Sequence, residues 1–153
     1  MMTQPDVLRQ IGTIARALDA ISNVEFQALA LTKGQYLYLV RICEQPGIIT
    51  EHLAQQLRVD RTTANRAVQK LVTQGLIEKH AAKINRKNKE LFPTATGLAR
   101  YPQLKRENTY SNQVALADLS IDEAHQLAAL LAKVSERVTA DWTTVKQGGH
   151  RPY

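Results

Sequence analysis

One hundred and fifty-three residues, 44% hydrophobic and 22% charged, suit one folded domain of ordinary size or two very small ones, and exclude disorder throughout. A single Cys excludes a disulfide scaffold and a Cys-rich zinc site, and no apolar run is long enough to span a membrane. Of the 20 Lys+Arg and 14 Asp+Glu, Arg58–Arg106 holds 12 basic and 3 acidic residues, so that segment carries +9 and the remainder −3. A basic middle between mildly acidic ends suits a polyanion-binding module held on a scaffold, with a solvated lysine-rich surface as the plain alternative. Met1–Asp6 lacks the basic-then-apolar pattern of a secretion signal, so the cytoplasm is the expected compartment.

In chain order, Val7, Leu8, Ile11, Ile14, Ala15, Leu18 and Ile21 recur at three and four residues and predict a long helix from about Asp6 to Ala30. Thr32 and Gln35 have capping-box spacing and are expected to open a second helix, which Gln45-Pro46-Gly47 ends. Thr50 is expected to cap a short helix with Leu53, Ala54 and Leu57 on its apolar face. Arg58-Val59-Asp60 makes a three-residue break, with Val59 directed inward. Asp60 then caps a helix from Arg61 to about Thr73, and Gly75 stands where a left-handed terminator falls. Two short helices joined by such a turn have the dimensions of a helix-turn-helix.

The second of these helices has two faces. Ala64, Ala67, Val68, Leu71 and Val72 gather on one side, while Thr62, Arg66, Gln69 and Thr73 gather opposite, with Thr63, Asn65 and Lys70 at the margins. No acid lies between Arg61 and Gly75, where it would repel phosphate, and Arg, Asn, Gln and Thr are the types that reach base edges and phosphates. Two short strands, Leu76–Lys79 and Glu90–Phe92, flank a connection containing Lys83, Asn85, Arg86, Lys87 and Lys89, with four cations and no acid. A hairpin with a cationic tip directly after a recognition-type helix reads as a wing; a flexible solvated loop is the plainer reading. Thr94–Gly97 opens a further helical stretch, expected to be kinked by Pro102 or to hold it in its first turns, and to run on to Leu119. Ser120-Ile121-Asp122-Glu123 is a capping box, and Leu127, Leu130, Leu131, Val134, Val138, Trp142 and Val145 follow at helical spacing before a tail, 148–153, expected to be flexible.

The expected fold is therefore mainly α with a small β-hairpin wing. Residues 31–97 form a winged helix-turn-helix, and 1–30 with 98–147 a helical dimerisation region. Val7, Ile11, Ile14, Val134, Val138 and Trp142 are the candidate dimer contacts, because a reader of double-stranded DNA gains affinity and read length from two half-sites; terminal helices folded back to complete a monomeric core are the plainer alternative. Candidate DNA contacts are Thr50, Arg61, Thr62, Thr63, Asn65, Arg66, Gln69 and Lys70 on the helices, and Lys83, Asn85, Arg86, Lys87 and Lys89 on the wing. The competing readings are a non-specific architectural DNA binder and a winged-helix protein-interaction domain.

No histidine has metal-pair spacing with Cys43 or a carboxylate, and neither a Gly-rich phosphate loop nor a Gly-x-Ser-x-Gly elbow is present, so no catalysis, metal or cofactor is expected. Cys43 reads as a buried small hydrophobe, since it has no second cysteine to resolve an oxidised sulfur.

Several runs together carry a family resemblance: Leu31-Thr32-x-x-Gln35-Tyr36, Leu53-Ala54-x-x-Leu57-x-Val59-Asp60-Arg61-Thr62-Thr63, Leu71-Val72-x-x-Gly75-Leu76-Ile77 and Thr94-x-x-Gly97. With the order of elements, they make the chain resemble the MarR/SlyA family of transcriptional regulators over nearly its whole length. Arg106–Leu116 looks most like the SlyA branch. The resemblance implies a homodimer on an inverted-repeat operator, recognition helices in successive major grooves, and wings toward minor grooves. It also implies a small phenolic or aromatic effector bound between dimer domain and DNA-binding lobe; Arg16, Tyr36 and Tyr38 are residues able to line such a site. The family's wing carries Asp-x-Arg where this chain has Asn85 and Lys87, so its usual acid–arginine stiffening is missing and Arg86 becomes the expected minor-groove contact.

Overall fold

The computed structural model describes residues 3–153. Among them are six α-helices, one 3-10 turn and a small antiparallel sheet, the mainly α fold with a β wing that the sequence pattern implies. They fall into two compact units, one ending at Arg106 and the other spanning Glu107–Tyr153.

The first unit opens with α1 (Val7–Glu25), capped by Asp6, whose carboxylate accepts from the Arg9 backbone N–H at 3.1 Å. The expected continuous helix to Ala30 is not formed. Phe26 and Leu31 are both fully buried, yet five helical residues would place them about 140° apart. The chain satisfies both by leaving the helix, passing through a 3-10 turn (Gln27–Leu29) and a left-handed Ala30. Asn23 Oδ1 then accepts from Lys33 N–H at 2.6 Å and ties the turn back to α1.

The expected Thr32–Gln35 capping box is also absent. Helix α2 (Gln35–Glu44) starts from Gly34 with no side-chain cap. Lys33 and Gly34 both take positive φ, a reversal that directs Gln35 inward, and its Nε2 donates to Ala67 O at 2.6 Å. After Gly47, at φ +93°, comes β1 (Ile48–Ile49), a strand the sequence reading did not contain. Two residues carry no alternation to detect. Helix α3 (Thr50–Leu57) follows at once. Ile49 holds its N-cap position without a side-chain hydrogen bond, so Thr50 is the first helical residue and not the cap.

Arg58 turns the chain at φ +56°, Val59 packs half-buried against the core, and α4 (Arg61–Thr73) begins behind Asp60. Ala64, Ala67, Val68 and Leu71 are its buried face, and Gly75 ends it at φ +72°. Strands β2 (Ile77–Ala81) and β3 (Lys89–Pro93) extend slightly beyond the expected strand limits at the tip end. They pair from Ile77 opposite Pro93 to Ala81 opposite Lys89, and β1 pairs on the other side with Ile48 opposite Leu91. β3 is thus the central strand of the sheet. The core on which these elements converge includes Leu31, Leu39, Ile42, Leu53, Val68, Leu71, Ile77, Leu91 and Leu104.

Helix α5 (Ala95–Ala115) starts behind Thr94 and continues through Pro102. The junction is tight: Thr94 N–H donates to Leu76 O at 3.0 Å, Thr94 Oγ1 donates to Gly75 O at 2.7 Å, and Gly97 N–H donates to Thr94 Oγ1 at 3.1 Å. The division between units falls inside α5. Its last turn gives way at Leu116–Leu119 to a hydrogen-bonded turn, short of the helical run to Leu119 expected from sequence.

The second unit is dominated by α6 (Ile121–Lys146). The capping box at its start is complete: Ser120 N–H donates to Glu123 Oε2 at 2.8 Å and Glu123 N–H donates to Ser120 Oγ at 3.1 Å. None of its 26 residues is buried. Beyond it, Gly149 N–H donates to Thr144 O, and Arg151 pairs with Asp141 at 3.0 Å. Among the described residues, no helix is long and apolar enough to cross a membrane.

Candidate nucleic-acid interface

The helix-turn-helix is built around Asp60. Its Oδ1 accepts from Thr63 N–H at 2.7 Å, and its Oδ2 accepts from the Thr63 hydroxyl at 3.0 Å. These two bonds, with the Thr62 N–H and the charge of Arg66, hold the carboxyl below the usual carboxylate range. The cap fixes where α4 begins and hence the rotation of its outer face. The inner face is fixed by Ala64, Ala67, Val68 and Leu71, packed against α2 and α3.

That rotation leaves Arg61, Thr62, Thr63, Asn65, Arg66, Gln69 and Lys70 exposed together. They are not equivalent. The Thr63 hydroxyl gives its one proton to Asp60 and keeps only its acceptor lone pairs. Gln69 Oε1 accepts from Lys79 Nζ at 3.3 Å, and Thr73 folds onto Gln69 O at 3.0 Å. Asn65 has two amide donors and an acceptor, and Arg66 a fork of donors. Among the described residues neither side chain makes a hydrogen bond, and Arg66 bears only electrostatically on Asp60, so their donors and acceptor face outward. Thr50, at the start of α3, is half-buried.

The wing tip spans 82–88 between β2 and β3. Ala82 N–H donates to Asn88 O at 3.1 Å and Asn88 N–H to Asn85 O at 3.0 Å, while Asn85 Oδ1 accepts from Lys87 N–H at 3.1 Å. Asn85 therefore builds an Asx turn and orders the tip without an acid–arginine pair. Lys83, Arg86 and Lys87 are exposed on this short loop, and Lys89 is exposed at the start of β3. Near the tip end of β2, the His80 ring lies tilted against Phe92, with centroids 4.9 Å apart, and 3.6 Å from Glu78.

Lys79 is a neighbour of the candidate interface that the sequence pattern did not point to. It comes from β2 and reaches Gln69 across the fold. Only the packing of β2 against α4 creates this contact, and no local pattern announces it. Tyr36 and Tyr38, considered for a ligand site, are engaged in packing. Tyr36 packs tilted against Phe26, with ring centroids 4.8 Å apart. Tyr38 is buried, and its hydroxyl pKa is raised by that burial and by the charge of Asp60. Arg16 is exposed on α1. Of the candidate dimer contacts, Ile11 and Val134 are half-buried and Val7, Ile14, Val138 and Trp142 are exposed; Val138 retains 52% of its surface and Ile14 56%.

A capped helix with a polar, acid-free outer face, preceded by a three-residue turn and followed by a cationic hairpin, defines a winged helix-turn-helix protein. The chain belongs to the MarR family of transcriptional regulators: the family's pattern matches residues 31–89, from just before α2 to the first residue of β3. It is 53% identical over 97% of its length to the uncharacterized HTH-type transcriptional regulator YybA of Bacillus subtilis (strain 168), covering 99% of that protein. Among solved structures, it matches a MarR family regulator from Listeria monocytogenes complexed with 26mer DNA at 53% identity and a TM-score of 0.95, covering 98% of this chain and 100% of that one. It also matches the transcriptional regulator SlyA at 52% identity and a TM-score of 0.89, over 92% and 99% of the two chains.

Proposed function

We propose that this protein binds double-stranded DNA as a homodimer and regulates transcription from an inverted-repeat operator. The observation that carries the reading is the outer face of α4, where Asn65 and Arg66 stand exposed behind an Asp60 cap that fixes their direction. A DNA complex of a Listeria protein 53% identical to this chain supports it. In this reading Thr62, Thr63, Asn65 and Arg66 meet bases and nearby phosphates, Thr50, Arg61, Gln69 and Lys70 flank them, and Lys83, Asn85, Arg86, Lys87 and Lys89 approach the backbone along the minor groove. Dimerisation uses Val7, Ile11, Ile14, Val134, Val138 and Trp142. Its support is the wholly unburied α6 and the exposed apolar side chains of α1, surfaces that a second copy covers in a symmetric dimer. A small phenolic or aromatic effector that weakens DNA binding belongs to the same reading and rests on family membership.

The test is selection from a randomised duplex pool at about 150 mM salt. Enrichment of an inverted repeat with half-site centres about 10 base pairs apart is expected. Binding without an enriched sequence overturns specificity in favour of an architectural role, and no binding at low salt overturns the assignment. Arg66→Ala is expected to lose about 5- to 100-fold in affinity for the selected duplex while keeping its circular dichroism spectrum and melting temperature. About 6–10 phosphate contacts per dimer predict a fall in affinity of roughly 10³–10⁵ between 50 and 200 mM salt.

A further inference from the structure

Ile84 sits between Lys83 and Asn85 in the wing tip and is fully exposed, its side chain covered by nothing. The other large aliphatic residues of the hairpin are buried: Ile77 at its base and Leu91 in β3 are at 2% and 0% exposure. An aliphatic β-branched residue so exposed in the tip loop buries no surface in the fold there. It is also enclosed in a strongly cationic setting, with Lys83, Arg86, Lys87 and Lys89 around it and no acid from Ala81 to Lys89. The Asx turn made by Asn85 and Lys87, together with the bond from Asn88 N–H to Asn85 O, holds this short tip in one shape and so keeps Ile84 projecting.

We infer that Ile84 is an apolar contact residue of the wing, pressed into the minor groove against deoxyribose and base edges while the surrounding cations take the phosphates. The inference rests on the DNA-binding reading above and adds a contact of different physics to it. Duplex DNA matches this patch in charge, and its minor groove is narrow, flanked by phosphates and walled by deoxyribose, and apolar side chains such as Ile, Leu and Phe are used by minor-groove-binding proteins there. A protein partner would have to supply an acidic surface around an apolar pocket; that occupant is an outcome of the test.

The experiment compares wild type, Ile84→Ser, Ile84→Val and Lys87→Ala on a duplex recovered by the wild-type protein from a random pool, across a salt series. Apolar burial releases no counterions, whereas each lost phosphate contact lowers the slope of log affinity against log salt by about 0.9. Ile84→Ser is expected to bind about tenfold more weakly per dimer with an unchanged slope, and Ile84→Val close to wild type. Lys87→Ala is expected to reduce the slope by roughly two, one contact from each wing. Because Ile84 is exposed, Ile84→Ser keeps the wild-type melting temperature. Wild-type affinity in Ile84→Ser, with wild type itself binding, overturns the role of Ile84 and leaves the DNA-binding reading standing. Failure of wild type to bind any duplex overturns both, and an acidic protein whose binding is lost in Ile84→Ser would then identify the other occupant.

Discussion

Replacing Gly97 by alanine tests the junction between wing and α5. An added Cβ would lie 2.1 Å from Leu76 O, 3.1 Å from the Leu76 carbonyl carbon and 3.5 Å from Leu39 Cδ1. A carbon–oxygen contact needs about 3.3 Å, so backbone must move by about 1 Å. The obstructing oxygen is held in place, because it accepts from Thr94 N–H, and Thr94 Oγ1 in turn grips Gly75 O. Relief therefore strains or breaks these hydrogen bonds, each contributing about 1 kcal/mol, on top of about 1–3 kcal/mol for overpacking. The expected loss is about 3–5 kcal/mol, or roughly 10 °C in melting temperature for a chain of this size. The assay is thermal unfolding at fixed protein concentration, since a dimer's stability depends on it. Gly75→Ala is the control: it has positive φ but nothing within 4 Å of the new Cβ, so about 1–2 kcal/mol of backbone strain is expected. A Gly97→Ala melting temperature within about 3 °C of wild type, or a larger loss for Gly75→Ala, would refute the clash argument.

Three further outcomes are expected. Asp60 is held below the ordinary carboxylate range by the Thr63 backbone N–H first and the Thr63 hydroxyl second. Its stabilising contribution is therefore complete above the unfolded value of about 3.9 and fades as pH falls through the lower folded value; Asp60→Asn, which still caps, should narrow the stability gap to wild type as acid unfolding is followed below about pH 4. Burial, and then the Glu44 charge, raise the Cys43 thiol to about 11, so at pH 8 only about one in a thousand is thiolate; labelling with a disulfide reagent should be far slower in native than in unfolded protein, and equal rates would contradict the burial. Gln35→Glu would set a carboxylate against the Ala67 carbonyl that Nε2 now serves at 2.6 Å. A loss of about 3 kcal/mol in urea unfolding is expected, with Gln35→Leu costing less.

The parts of the fold legible in sequence were those set by neighbours in the chain. Asp60 and Ser120 announce their caps because the groups they bind lie three residues away. The two faces of α4 follow from helical period alone. The misreadings share a different origin. Thr32 and Gln35 have capping-box spacing, but a partner thirty-two residues away, Ala67 O, claims Gln35. The helix expected to reach Ala30 stops early because Phe26 and Leu31 must enter the same core. Strand β1 exists only because β3 supplies its pairing. In the candidate interface, residue types and exposure were readable, but the division of labour was not. That Thr63 and Gln69 are partly committed to Asp60 and Lys79, leaving Asn65 and Arg66 unencumbered, depends on atoms brought together by folding.

The short β1 strand has a mechanical consequence. It closes the free edge of β3 at Leu91 and Glu90, and Gly47 N–H adds a bond to Leu91 O at 2.8 Å. The segment joining α2 to α3 is thereby laced to the root of the wing, while α3 and α4 share the core beneath it. Helix and hairpin are yoked like two prongs cast in one piece. These bonds fix the spacing between α4 and the root of the wing, so a duplex would meet the two prongs as one preset fit.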